Sequence, residues 1–402
     1  MATSSSFQQL PRGSLTIVGS GFRSIIQFTT EALMHIEAAE KLYYCVLDAA
    51  TRGFIKAKNS NSVDLYECYS NTKPRYETYI QMTEAMLRSV RDGLKATVVL
   101  YGHPGVFIHP SHRAIAIARS EGYDAWMLLG ISVEDYLFAD LLIDPSNPGT
   151  QTVEATEILL KERPLLTSSH VIIYQVGCIG NFTFNFSGIK NDKFDALVDR
   201  LIQEYGPDHP LVNYQAAISP LSEASIGRHI VSDLRKAEVQ ESVTGASTFY
   251  IPPKTVLQVT PQGAKLVSES DELPTYLSKD VPVFPPFPFN QSLAPIAPAY
   301  SSAERKAIEE LDNHITPLEY RKYNASSAMQ KTVESISFSL DTIKKFRESP
   351  SAFASSIEEL EPHEIDALST GSGERIDAAM QGNAAVNPNA AWLITFAIIF
   401  GK

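Results

Sequence analysis

The chain has 402 residues, 44% hydrophobic and 20% charged, enough for two or more domains with sizeable cores. Its 34 basic and 46 acidic residues leave a net charge of −12, and no cluster of Lys and Arg with aromatics offsets it, which excludes nucleic acid as the main partner. Cys45, Cys68 and Cys178 are odd in number and suit neither a zinc motif nor a disulfide framework. Met1 to Arg12 is polar, without the apolar stretch of a secretory signal, so a reducing cytoplasmic setting is expected.

Leu15-Thr16-Ile17-Val18 is a short apolar run ending in Gly19-Ser20-Gly21. It reads as a buried parallel strand closed by a tight turn. Residues 26 to 40 have helical character and lead to a second strand, Leu42 to Leu47. A tyrosine-rich window follows, with Tyr66, Tyr69, Arg75, Tyr76 and Tyr79. Pro74 suits a first helical position, and the helix should run to about Arg91 and stop near Gly93. Arg75 and Tyr79 then share one helix face, and Tyr69 can fold back onto it. Read by itself, the window is first of all a surface of tyrosines with a stacked arginine.

A further strand, Ala96 to Leu100, ends in Tyr101-Gly102-His103-Pro104-Gly105. Helix is expected from Ser111 to Ser120 and strand from Ala125 to Leu129, followed by Gly130-Ile131-Ser132. Alternating strands and helices predict an α/β domain with a mainly parallel sheet. Ligands bind such sheets at the carboxyl ends of strands, where the three glycine turns fall. Each turn alone is a weak signal, and Gly19-Ser20-Gly21 lacks the third glycine of a dinucleotide fingerprint. No carboxylate or thiolate joins His103, His109 and His112 at ligand spacing, so they read as loop or capping residues and no metal is expected.

Composition changes at Pro252-Pro253. Val281 to Phe289 alternates proline with phenylalanine, an extended arm for a surface. Residues 302 to 347 read as amphipathic helix, with another helical stretch from Pro350 to Leu368. A small helix, Glu374 to Met380, leads into a small, polar tether. The chain then turns apolar: Trp392, Leu393, Ile394, Thr395, Phe396, Ala397, Ile398, Ile399 and Phe400 precede Gly401 and Lys402. That run is too short to span a bilayer, which takes about 20 residues. It could complete its own core, act as an oligomerisation arm, or be a substrate held in an active site. Composition favours the first two.

The strand ending in Val18-Gly19-Ser20-Gly21, with Tyr101-Gly102-His103-Pro104-Gly105 and Gly130-Ile131-Ser132, resembles the tetrapyrrole-methylase class of S-adenosylmethionine-dependent methyltransferases. The closer resemblance is to omphalotin-type (borosin) precursors, fungal proteins in which such a methyltransferase is fused to its own peptide substrate. Gly13 to Gly19, Asp144 to Gly149 and Ser247 to Pro253 carry it most strongly. Leu129 departs from the family, which usually has proline there; Gly130 and Ser132 remain.

The resemblance implies a methyltransferase domain over residues 1–251, a helical clasp that wraps a second subunit over 252–377, a leader over 378–391 and a core peptide over 392–402. It implies S-adenosylmethionine as cofactor, S-adenosylhomocysteine as product, and cofactor contacts at Tyr101, His103, Val106, Val133, Gln175, Ala216, Ser247 and Thr248. It matches Tyr69, Arg75, Tyr79 and Tyr101 to catalytic positions. Leu393, Ile394, Thr395, Phe396, Ala397, Ile398, Ile399 and Phe400 become the residues modified, on the backbone nitrogen. It further implies a homodimer with each peptide in its partner's site, a downstream protease or macrocyclase, and neither nucleic acid nor membrane as partner. The tail moves with it to the third reading. The rival is a methyltransferase acting on a separate small molecule, with the tail as a packing arm.

The chemistry gives these residue types a reason. An amide nitrogen is a poor nucleophile because its lone pair is delocalised into the carbonyl. It must shed its proton and push charge onto oxygen as an imidate. A tyrosine could take that proton, with its usual value near ~10 lowered by a neighbouring arginine. Arg75, or a tyrosine hydroxyl, could steady the imidate oxygen.

Overall fold

The computed structural model describes residues 13–146, 148–186, 188, 190–255, 257, 260–266, 302–315 and 323–381. The proline-phenylalanine arm 281–289, the tether from 382 and the apolar tail 392–402 lie outside the described residues. The described residues divide into two compact units: one lies within residues 13–29 and 39–266, the other within 30–38 and 302–381.

The first unit is built on two sheets. β1 (Ser14–Gly19), β2 (Lys41–Cys45), β3 (Ser62–Asp64), β4 (Lys95–Leu100) and β5 (Asp124–Met127) form a wholly parallel sheet in the order β3-β2-β4-β1-β5. β1 and β4 are its centre, which is why both read as continuous apolar runs: a parallel strand is covered on both faces. Leu15, Ile17, Val98 and Met86 are fully buried in its core. β6 (Thr150–Glu154), β7 (His170–Tyr174), β8 (Pro210–Gln215), β9 (Ser225–Ile230) and β10 (Thr248–Ile251) form the second sheet, ordered β6-β7-β10-β8-β9. Only β6 and β7 are parallel there; the other pairs are antiparallel. The helix Val133–Leu141 joins the two sheets. It follows β5 in the chain and packs Leu137 among Ile172, Tyr174, Val212, Tyr214 and Tyr250 of the second sheet.

The helical unit has its own core, in which Met329, Phe346, Ala354 and Leu368 meet. Its helices Ser327–Phe338, Leu340–Glu348, Pro350–Ser355, Pro362–Ser369 and Gly373–Met380 are short and polar-capped, and Thr30–Ala38 packs on the first of them. The expected helix at 26–40 thus forms only over Thr30–Ala38 and belongs to this unit. The buried Glu364 carboxylate accepts from the N–H of Ser326 at 2.8 Å, the hydroxyl of Ser326 at 2.7 Å and the N–H of Glu361 at 2.9 Å, tying two helix starts together. No helix among the described residues is long and apolar enough to cross a membrane.

Candidate active site

The three glycine turns meet at the carboxyl ends of β1, β4 and the chain after β5. Gly102 N–H donates to Gly21 O at 2.9 Å, and Gly21 N–H to Gly102 O at 3.3 Å. A Cβ on Gly19 would stand 2.4 Å from Gly102 O, and one on Gly130 would stand 2.5 Å from the same oxygen. These glycines therefore do more than turn the chain: they let three backbones touch, which no larger residue allows. Leu129, the family departure, is 65% exposed beside this contact.

Between these turns and the second sheet lies a cavity of about 390 Å³. All eight residues expected at the cofactor line it: Tyr101, His103, Val106, Val133, Gln175, Ala216, Ser247 and Thr248. The first four come from the parallel sheet's loops and the helix start, the rest from the second sheet. Sequence reasoning missed Phe22, Phe107, Tyr174 and Ile218, which also form the wall. Phe22 directly follows Gly21, and Tyr174 ends an unbroken apolar strand, so their places could have been read. Phe107 and Gln175 have φ of +55° and +57°, conformations that L-residues seldom adopt.

Several polar atoms of the wall are fixed. His103 Nδ1 accepts the N–H of Gly105 at 3.0 Å, which leaves the ring proton on Nε2. His112 Nε2 bonds Gly105 O at 2.8 Å, so both histidines serve this loop. The Ser132 hydroxyl is spent on capping Val133–Leu141, where it accepts from Glu134 and Asp135. Ser247 Oγ accepts from Gln215 Nε2 at 3.1 Å and Thr244 N–H at 3.0 Å, leaving its own proton to donate. The Tyr174 hydroxyl donates to Glu134, and its ring packs on Phe107 at 4.7 Å.

Tyr101 links the cavity to the tyrosine window. Tyr69 follows the turn Leu65–Cys68, and the helix Arg75–Arg91 begins where expected, with Pro74 capping it from outside rather than entering it. The four residues matched to catalysis are brought together: Tyr69 feels Tyr79 and Tyr101, and Tyr101 feels Tyr79 and Arg75. The expected lowering of a phenol by arginine is not the net outcome at Tyr69 or Tyr101. Burial, and after it Tyr79, pushes Tyr69 far above the usual range. Burial pushes Tyr101 up to about 12, although the residue as a whole is 38% exposed, and Arg75 offsets only a small part. Desolvation of a phenolate outweighs one arginine here.

Arg75 is anchored across the chain. Its N–H donates to Phe182 O at 2.8 Å, and its guanidinium donates to Asn181 O. Pro74 and Thr183 form an antiparallel bridge. A guanidinium has five N–H donors, so these bonds do not exhaust it. The Tyr79 ring lies 6.2 Å from that of His109.

A cavity at strand ends beside a phenol and guanidinium cluster suits a group-transfer enzyme, and relatives sharpen that class to methyltransferases carrying a peptide. Residues 299–390 match the borosin biosynthesis clasp domain. The chain is 46% identical to the methyltransferase/ribosomally synthesized cyclic peptide dendrothelin A precursor of Dendrothele bispora, over 94% of this chain and 90% of that protein. It is 44% identical to the corresponding omphalotin A precursor of Omphalotus olearius, over 93% and 89%, and 42% identical to a type I borosin cyclic peptide precursor of Coprinopsis marcescibilis, over 96% and 97%. The chain belongs to the omphalotin-type borosin family of methyltransferase/precursor proteins. Among solved structures, uroporphyrin-III-C-methyltransferase from Thermus thermophilus is similar at 18% identity and a TM-score of 0.43, over 60% of this chain and 92% of that one.

Proposed function

We propose that this protein is an S-adenosylmethionine-dependent methyltransferase that repeatedly methylates backbone amide nitrogens of its own C-terminal residues Leu393 to Phe400, making the precursor of an N-methylated peptide product. The observation that carries this reading is Tyr101, which belongs both to the cavity wall and to the tyrosine-arginine cluster. A methyl donor and an amide can therefore meet at one ring. The cavity fits such a donor: its volume suits a small-molecule site, its walls are apolar, and Ser247, Gln175 and backbone groups offer a few polar contacts. When bound, the donor supplies an electrophilic methyl group.

The chain's own residues handle the proton and the imidate charge. Tyr69 and Tyr101 hold their protons at neutral pH, which makes them hydrogen-bond donors to an imidate oxygen. Arg75 adds positive charge at the same place. Tyr79, flanked by Tyr69 and the His109 ring, takes the amide proton as a phenolate, its own proton having first passed to solvent. The tethered tail reaches the site at high effective concentration, so little intrinsic affinity is needed. An extended strand of β-branched and aromatic residues presents its N–H groups one after another.

The protein is further proposed to be a cytoplasmic homodimer whose tails cross into the partner's site, its product passing to a protease or macrocyclase. Intact mass tests the core of the reading. Purified protein should carry increments of one methylene, located by fragmentation within residues 393–400. An unmodified tail on protein that binds S-adenosylhomocysteine would favour a separate small-molecule substrate instead.

A further inference from the structure

The segment Asn181-Phe182-Thr183-Phe184-Asn185-Phe186 is pinned beside the catalytic window at four points. Two are the Arg75 bonds to Asn181 O and Phe182 O; the others are the Pro74–Thr183 bridge and the N–H of Phe186 on Asn71 Oδ1 at 2.9 Å. Its phenylalanines recur every second residue, the period that places side chains on one side of an extended segment. Phe184 lies 4.4 Å from the Tyr69 ring, and Phe186 lies 4.8 Å from Phe184. Yet Phe182 and Phe186 are 65% and 58% exposed. An apolar ridge left open beside the Tyr69 phenol is a contact surface.

The apolar tail has the matching period. In sequence Trp392, Ile394, Phe396, Ile398 and Phe400, all large and apolar, alternate with Leu393, Thr395, Ala397 and Ile399; drawn out as a strand on the ridge, the first set would share one side. Neither the tail run nor the ridge carries a charge. Same-side residues of a tail drawn out as a strand would recur about every 7 Å.

We propose that Phe182, Phe184 and Phe186 form a rail that seats the bulky side of the chain's own tail and thereby selects which amide stands at Tyr69. This rests on the self-methylation reading above. A one-residue slip exchanges the two sides of a strand, so the rail favours every second register. It explains why a site built for backbone chemistry accompanies a tail of alternating bulk.

The test is a cycle of substitutions in the full-length protein, read as single-turnover methylation by intact mass. Replacing Ile394, Phe396 and Ile398 with Ala should slow methylation about tenfold, a loss equal to about 1.4 kcal/mol. Replacing Leu393 and Ile399 should cost under about threefold. In Phe182→Ala/Phe186→Ala protein the difference between the two tails should vanish, while Phe182→Leu/Phe186→Leu should retain most of it. S-adenosylhomocysteine affinity should be unchanged in both, because the exposed rings do not line the cavity. A difference between the tails that survives in the alanine variant overturns the rail, and so does a drop in cofactor affinity, which would make the ridge a structural support. Dissociation of the alanine variant in light scattering would also overturn it, by giving the ridge to a second copy. A wild-type tail with no methyl groups would sink the function proposed above and the rail with it; a methylated tail with no coupling sinks the rail alone.

Discussion

Arg75 is held from its own backbone and from its guanidinium by carbonyls of the same distant segment, Asn181 and Phe182. A side chain fixed in this way presents its remaining donors with little entropy left to lose. Arg75→Ala should therefore lower methyl transfer by at least as much as Tyr79→Phe, for which about 100-fold to 10,000-fold is expected. Arg75→Lys should restore little, because an ammonium cannot span the same planar contacts. All three variants should keep their calorimetric affinity for S-adenosylhomocysteine, since neither Arg75 nor Tyr79 lines the cavity. Full activity in Tyr79→Phe would take that hydroxyl out of the mechanism. The spacing of Arg75 and Tyr79 on one face was legible in the sequence. The tether was not, because Asn181 lies 106 residues away. Nor was the upward shift of the phenols, which comes from burial that no local pattern records.

Strands covered on both faces announce themselves, and β1 and β4 were read from their apolar runs almost to the residue. The helix Ala49–Lys58 was missed because Thr51, Arg52 and Gly53 break its apolar stripe. The second sheet was missed because much of it is antiparallel and its outer strands, β6 and β9, are only part-buried. The glycine turns were placed correctly as strand-end features, but their role is backbone contact as much as ligand contact. Gly130→Ala must push the turn off Gly102 O, so it should weaken S-adenosylhomocysteine binding at least tenfold without adding any charge, about 1.4 kcal/mol. Unchanged affinity would show that the turns can part freely. In the helical unit, burial would raise the Glu364 carboxyl, but the Ser326 and Glu361 donors outweigh it and hold it below the usual range. An acid depressed on folding lends stability above its unfolded value, and that share is lost as pH falls through the folded one. Glu364→Ala should cost about 2–3 kcal/mol by orphaning those donors. It should also flatten the acid limb of a helicity-monitored denaturation; an acid limb identical to wild type would place the loss elsewhere.

The helix that follows β5 is stapled to the second sheet, and the staples are phenols. Tyr174 donates to Glu134 and Tyr214 to Asp140, at 2.6 Å for the second, so both bonds land on Val133–Leu141. Burial first, and then these carboxylates, push both phenols above the usual tyrosine range. Burial does the same for Tyr250 in the same cluster. Between the unfolded value near ~10 and the higher folded values, the unfolded chain has released protons that the native chain still holds. The native state then binds more protons, so stability is complete below about pH 10 and declines as pH rises. The first consequence falls on the cavity, because Val133 at the helix start is part of its wall. Urea midpoints measured from pH 8 to 11.5 should hold steady and then fall. Tyr174→Phe/Tyr214→Phe should lower the midpoint at pH 8, where the two hydrogen bonds are lost. It should also make the alkaline decline shallower, since the groups that titrate are gone. An equally steep decline in that variant would show that the alkaline limb belongs to other tyrosines and that the helix is held by packing alone.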